Sequence, residues 1–109
     1  MKKAGLVIVG ALFMAWLVVP AMAADTIVIG SVVPLSGGTA HYGTNAKRGL
    51  EMAFEEINAK GGITVQGKKY QLREEACDDE GKSDKASTCG RKLSSQYNVP
   101  VIYTPASWS

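Results

Sequence analysis

The chain is poor in the groups that catalysis draws on. His41 is the single histidine among 109 residues, and Cys77 and Cys89 are the only two cysteines. A cysteine nucleophile needs a histidine within reach and an acid to orient it. His41 stands on the other side of a whole predicted helix from both thiols, with no acid spaced to serve it, so neither an enzyme nor a cofactor is expected. Basic side chains are not in excess either. The net charge of +2 comes from Lys2 and Lys3: without them ten of the twelve basic groups remain, against ten acidic ones. Neither a nucleic-acid footprint nor a membrane-binding basic patch survives that subtraction. Internal repeats and low-complexity linkers are absent as well.

Long apolar runs are equally scarce. The one that exists, Ala4 to Val19, follows Lys2-Lys3, is broken by Pro20 and ends on Ala21-Met22-Ala23. Such an order of charge, apolar stretch and small-x-small site is that of a secretory signal. An uncleaved anchor is the alternative, but the run falls short of the roughly 20 residues a span requires. With no cysteine at the cleavage point, residues 1–23 are predicted to be removed. A lipid-free exported chain of residues 24–109 would remain.

What is present is organised around residues 27 to 62. Ile27-Val28-Ile29-Gly30-Ser31-Val32-Val33-Pro34 reads as a strand buried on both faces of a parallel sheet. A turn-rich loop, Ser36 to Gly43, comes next. The helix after it places Ala46, Leu50, Ala53, Phe54 and Ile57 at steps of three and four, with Lys47, Arg48, Glu51, Glu55, Glu56 and Lys60 toward water. Gly61-Gly62 stops it. Because ligands bind outside the carboxyl ends of such strands, the loop is a candidate site: Ser36 and Thr39 offer hydroxyls and Tyr42 a flat wall with a polar tip. The competing reading is a loop whose glycines only turn the chain.

Ile63-Thr64-Val65 and Lys69-Tyr70-Gln71-Leu72 predict a surface hairpin whose second strand runs to about Cys77, polar enough to lie near a sheet edge. Asp78-Asp79-Glu80 follows. Three adjacent acids supply too few fixed oxygens for a calcium loop, so a metal site is not expected. A second helix, capped by Ser83 and running from Asp84 to about Gln96, would turn Ala86, Cys89, Gly90, Leu93 and Tyr97 to the sheet, with close helix–sheet contact offsetting the cost of Gly90. Val99-Pro100-Val101-Ile102-Tyr103 reads as the third main strand. The expected fold is therefore α/β, a Rossmann-like open parallel sheet of order 2-1-3. Cys77 at a strand end and Cys89 on an inward helix face are the expected disulfide of an exported protein.

Ile-Val-Ile-Gly-Ser-Val-Val-Pro-Leu-Ser-Gly, the following Ala-His-Tyr-Gly, Arg48-Gly49 and Ala53-Phe-Glu-Glu-Ile-Asn-Ala-Lys-Gly-Gly-Ile63 resemble the amino terminus of the branched-chain amino-acid-binding proteins. These are extracytoplasmic substrate-binding subunits of ABC importers, with the type I periplasmic-binding-protein fold. The resemblance implies an incomplete first lobe, capture of a small ligand between two lobes, closure about a hinge, delivery to ABC permease subunits as a monomer, and no covalent chemistry. It further implies that the loop after the third strand, Ala106 and Ser107, offers backbone N–H groups and a hydroxyl to a ligand carboxylate. Tyr42 would touch the ligand's side chain. Trp108 would wall the pocket or cover the sheet end, and His41 would line the loop or face solvent. Leucine-type relatives place a disulfide between the segments corresponding to Gly81 and Ala106; neither is cysteine here, so that pairing does not transfer. A receptor's ligand-sensing domain and a structural exported domain are the rival readings. On its own, so short a lobe is expected to be marginally stable and to bind nothing tightly.

Overall fold

The computed structural model describes residues 25–105; the predicted signal, residues 1–23, and the site candidates Ala106, Ser107 and Trp108 lie outside the described residues. Six elements alternate along the chain: β1 (Thr26–Val33), α1 (Ala40–Ala59), β2 (Ile63–Val65), β3 (Lys68–Asp78), α2 (Ser83–Gln96) and β4 (Ile102–Tyr103). They build one sheet in the order β2-β3-β1-β4. β1 runs parallel to both β3 and β4, while β2 is antiparallel to β3. The three main strands thus take the 2-1-3 arrangement, and the hairpin makes the sheet mixed.

Period-two alternation divides β1 and β3 between two faces. On one face Val32 and Cys77 meet Cys89 and Leu93 of α2, joined by Ala86, Tyr97, Val99 and Ile102. Ser31 and Val33 point to the other face, where α1 packs, and both are fully buried. A buried hydroxyl needs a partner; Ser31 Oγ donates to Glu74 Oε1 at 2.5 Å. The second half of β1 is therefore covered on both sides, as its apolar run predicts. Cys77 and Cys89 are bonded, with their α-carbons 5.7 Å apart, stapling β3 to α2 across a separation of 12 residues. Closing so short a loop is worth about 3 kcal/mol in the chain-entropy description.

Two glycines allow backbones to meet. A Cβ on Gly43, in the first turn of α1, would lie 1.8 Å from the Pro34 carbonyl oxygen. Helix and strand are in backbone contact there, so this glycine serves packing and not ligand approach. Gly62 closes the far end of the helix. The Gly62 N–H donates to Ile57 O at 2.9 Å and the Gly61 N–H to Asn58 O at 3.0 Å, the paired bonds of a Schellman cap. With φ of 85°, Gly62 also brings its α-carbon against the Tyr70 carbonyl.

Asn58 then does what a neighbouring strand would do. Its Oδ1 accepts from Leu72 N and its Nδ2 donates to Leu72 O, each at 2.8 Å, just beyond the point where β2 stops pairing with β3. Both peptide groups of that edge residue are satisfied by one side chain. The hairpin ahead of it turns on Gln66 and Gly67, both at positive φ, as a two-residue I′ connection requires.

Several local expectations are corrected. The helix begins at Ala40, so His41, Tyr42 and Gly43 belong to its first turn and not to a loop. Ala53 is exposed, and the covered stripe runs instead through buried Gly43 and half-buried Ala46, Leu50, Phe54 and Ile57, because a helix advances 100° per residue and Ala53 falls beyond its edge. Lys47 and Glu51, expected in water, are half-buried and paired with each other. Ser83 is inside α2 and Lys82 precedes it with no side-chain cap. Nothing lies within 4 Å of a Cβ built on Gly90, so no close helix–sheet contact offsets its helix cost. The third main strand is only Ile102–Tyr103. Pro100 stays outside the ladder because it has no N–H to donate, although Val101 O still accepts from Gly30 N at 3.0 Å.

Gly43→Ala is expected to destabilise the fold by about 3 kcal/mol, since the backbone of Pro34 must move to admit the methyl group. Gly49→Ala, at a helical position with open space around it, should instead be neutral or stabilise by up to about 1 kcal/mol. Urea unfolding of the two variants checks the contrast.

Candidate functional site

Parallel pairing decides where the loops emerge. β1, β3 and β4 end at one rim, so residues 34–39 after β1, residues 79–82 after β3 and Thr104 after β4 all leave from the same side of the sheet. Helices α1 and α2 cover opposite faces, and the chain reverses direction of travel across the sheet between β1 and β4. This is the switch point at which open α/β sheets take ligands.

Ser36 is exposed, and its hydroxyl is already committed: Oγ donates to Asp78 Oδ2 at 2.6 Å. The other oxygen, Oδ1, accepts from Leu35 N and from Glu80 N, each at 2.8 Å. Asp78 therefore links the β1–α1 loop to the β3–α2 turn. Burial works against charge on Asp78, but the Ser36 hydroxyl and the backbone N–H groups of Leu35, Glu80 and Ser36 outweigh it and hold the carboxyl below the usual aspartate range.

The neighbouring acids face elsewhere. Asp79 is buried, its Oδ1 accepting from Gly81 N at 2.8 Å, while its own N–H donates to Val33 O at 3.1 Å. Glu80 pairs with Lys85 and, at 3.5 Å, with Lys82. The hydrogen bond from Lys85 holds the Glu80 carboxyl below its usual range. All three carboxyls are thus spent on local structure, and among the described residues no group of three His, Cys, Asp or Glu side chains could hold a metal ion. The two loops also touch directly: a Cβ on Gly81 would meet Thr39 Oγ1 at 2.8 Å.

Tyr42 stands at the rim, 66% exposed, its ring 3.9 Å from that of His41. Tyr103 and Thr104 are exposed at the end of β4. Sequence reasoning picks out Ser36 and Tyr42 but assigns no part in the site to Asp78. Its Asx-type bond to Glu80 N is a local signal in Asp-Asp-Glu-Gly, whereas the bond to Ser36, 42 residues away, has no sequence signature. A shallow groove of about 270 Å³ lies away from the rim, between α1 and β3, lined in part by Phe54, Asn58, Leu72 and Glu74.

Asp78 also sets a pH dependence. Its folded-state carboxyl titrates below the unfolded value near 3.9, so the unfolded chain binds the proton more readily. The contribution is complete at neutral pH and is lost as pH falls through that region. Asp78→Ala should cost about 2 kcal/mol at pH 7, and the gap from the parent should narrow by pH 3. Chemical unfolding across that range measures it.

The profile of one family, described as periplasmic binding protein, matches residues 26–108. A curated relative, Leu/Ile/Val-binding protein homolog 7 of Brucella abortus, is 45% identical over 84 residues, 76% of this chain and 20% of the relative. Leu/Ile/Val-binding protein BraC3 of Rhizobium johnstonii is 40% identical over 67 residues, 62% of this chain and 17% of the relative. Among solved structures, the branched-chain amino acid transporter substrate-binding protein LivJ of Streptococcus pneumoniae, in complex with isoleucine, superposes with a TM-score of 0.67 and 34% identity. The match covers 75% of this chain and 22% of LivJ. The chain accordingly spans about a fifth of the length of these relatives. The profile matches well over half of the chain, and the chain belongs to the periplasmic binding protein family.

Proposed function

We propose that this chain contributes the first-lobe rim of an extracytoplasmic solute-binding protein of an ABC importer, and that its ligand is a branched-chain amino acid or a related small acid, amide or aromatic amino acid. The observation that carries the reading is the parallel pairing of β4 with β1, Gly30 opposite Ile102 and Ser31 opposite Tyr103. It brings the end of β4 to the rim that holds Ser36 and Tyr42, which supports assigning the segment after β4 to the same crevice. In this reading Ala106 and Ser107 give N–H groups and a hydroxyl to the ligand carboxylate. Tyr42 and Trp108 border its side chain, and Ser36 shapes the rim from its bond to Asp78. Residues 1–23 act as the cleaved export signal, and the mature protein works as a monomer that hands ligand to permease subunits.

Binding here is capture without turnover. The bound isoleucine of LivJ supports an aliphatic amino acid as the first ligand to try. Two lobes are needed to desolvate so small a molecule, and one rim alone offers few of the contacts that enclosure provides.

Residues 26–109 grafted into Streptococcus pneumoniae LivJ, in place of the matching segment, should give a hybrid that binds isoleucine in the micromolar range by calorimetry. The 109-residue chain alone should bind it at least about a hundredfold more weakly. A hybrid that folds but binds no branched-chain amino acid contradicts the reading, as does any chemical conversion of the ligand.

A further inference from the structure

Helix α1 lacks the local devices that usually fix where a helix starts. Thr39 precedes it without a side-chain capping bond, at φ −104° and ψ 8°, and no acidic residue occupies its first turn. Yet that turn carries Tyr42, which is 66% exposed with its ring against His41 alone among the ring contacts of the described residues. The direction of Tyr42 is therefore set from outside the helix. Two contacts are available. One is the seat of Gly43 on Pro34, which fixes the height of the helix above the strand. The other is Asp78, whose two oxygens take Leu35 N, Ser36 Oγ and Glu80 N at 2.8, 2.6 and 2.8 Å.

We propose that Asp78 is the positioning residue of the rim: by tying Leu35 and Ser36 to the turn after β3, it fixes where α1 begins and so how Tyr42 is presented to the crevice. From Ser36 the path to Tyr42 is short. Ala40 N donates to Gly37 O at 3.3 Å and Tyr42 N to Thr39 O at 3.0 Å, so residues 37–42 form consecutive tight turns that follow the placement of Ser36. Gly37 and Thr39 also lie against Glu80 and Gly81 of the opposite turn. The carboxylate joins two loops that otherwise meet, among the described residues, at the Asp79 N–Val33 O bond beside the strand ends and at the close approaches of Gly37 and Gly81. Charge on Asp78 strengthens all three bonds at once. The other charged groups around it are Asp79, which is occupied by Gly81 N, Glu80 and Lys82 from the same turn, and Lys85 from α2, whose charge acts on both Asp78 and Glu80. The proposal rests on the rim reading above for its link to ligand binding, but not for its conformational part.

The full chain, labelled for nuclear magnetic resonance, tests it through Asp78→Ala, Asp78→Asn and Ser36→Ala. Amides of residues 40–43 should exchange at least about tenfold faster in Asp78→Ala, with Gly30 and Leu93 affected less. The Tyr42 ring signals, followed in a His41→Gln background because the His41 ring stacks on Tyr42, should move as pH is lowered, with the midpoint of the Asp78 carboxyl carbon. Asp78→Asn, which keeps an acceptor for Leu35 N and Glu80 N, should restore slow exchange yet, in the same background, lose the pH response of Tyr42. Ser36→Ala should fall between. Tyr42 signals that ignore the Asp78 titration overturn the proposal, and this readout stands even where Asp78→Ala does not fold. In the LivJ hybrid, Asp78→Ala should weaken isoleucine about tenfold. A hybrid that never binds isoleucine removes the transport reading and leaves the Tyr42 result to decide the positioning role.

Discussion

Everything at the rim depends on β1 lying in the middle of the sheet and running the same way as both its neighbours. Buried positions from Gly30 to Val33, covered by α1 on one face and α2 on the other, hold it there. Because parallel strands end together, three loops separated by up to about 70 residues of sequence are gathered at one edge. No side chain in those loops could meet its partners otherwise. Asp78 and Ser36 are neighbours because Asp78 ends the strand opposite Val33.

That constraint explains how unlike tasks are divided among similar residues. Gly43 and Gly62 sit where a methyl group would strike a carbonyl, while Gly49 and Gly90 face open space. Asp78, Asp79 and Glu80 are three acids in a row that serve three different structures: a loop clamp, a turn and a lysine pair. Asn58 closes the strand edge that the short hairpin leaves open. Composition alone distinguishes none of these.

The elements themselves were readable in the sequence because periodicity and punctuation are local. The Ile/Val run, the amphipathic helix and its Gly-Gly stop, the hairpin and the second helix are all found within a few residues of expectation. What was not readable depends on contacts across the chain. The loop glycine at position 43 turned out to be a helical packing residue, because only the seat on Pro34 reveals it. Among the described residues the third main strand is two residues long, paired with β1 and preceded by a proline that has no N–H to extend the ladder. Of the candidate site, Tyr42 and Ser36 both lie at the rim, and Ser36 is bonded inward to a carboxylate that its own neighbourhood does not announce.

The most direct measurement of this account is the set of through-space proton contacts between β1 and β4 in the isotopically labelled chain. Gly30 and Ser31 should contact Ile102 and Tyr103 in parallel order, with the Gly30 amide protected from exchange by the Val101 carbonyl. Contacts in antiparallel order, or a freely exchanging Gly30 amide with no β4 contacts, would put the chain after Tyr103 at another edge and dissolve the rim.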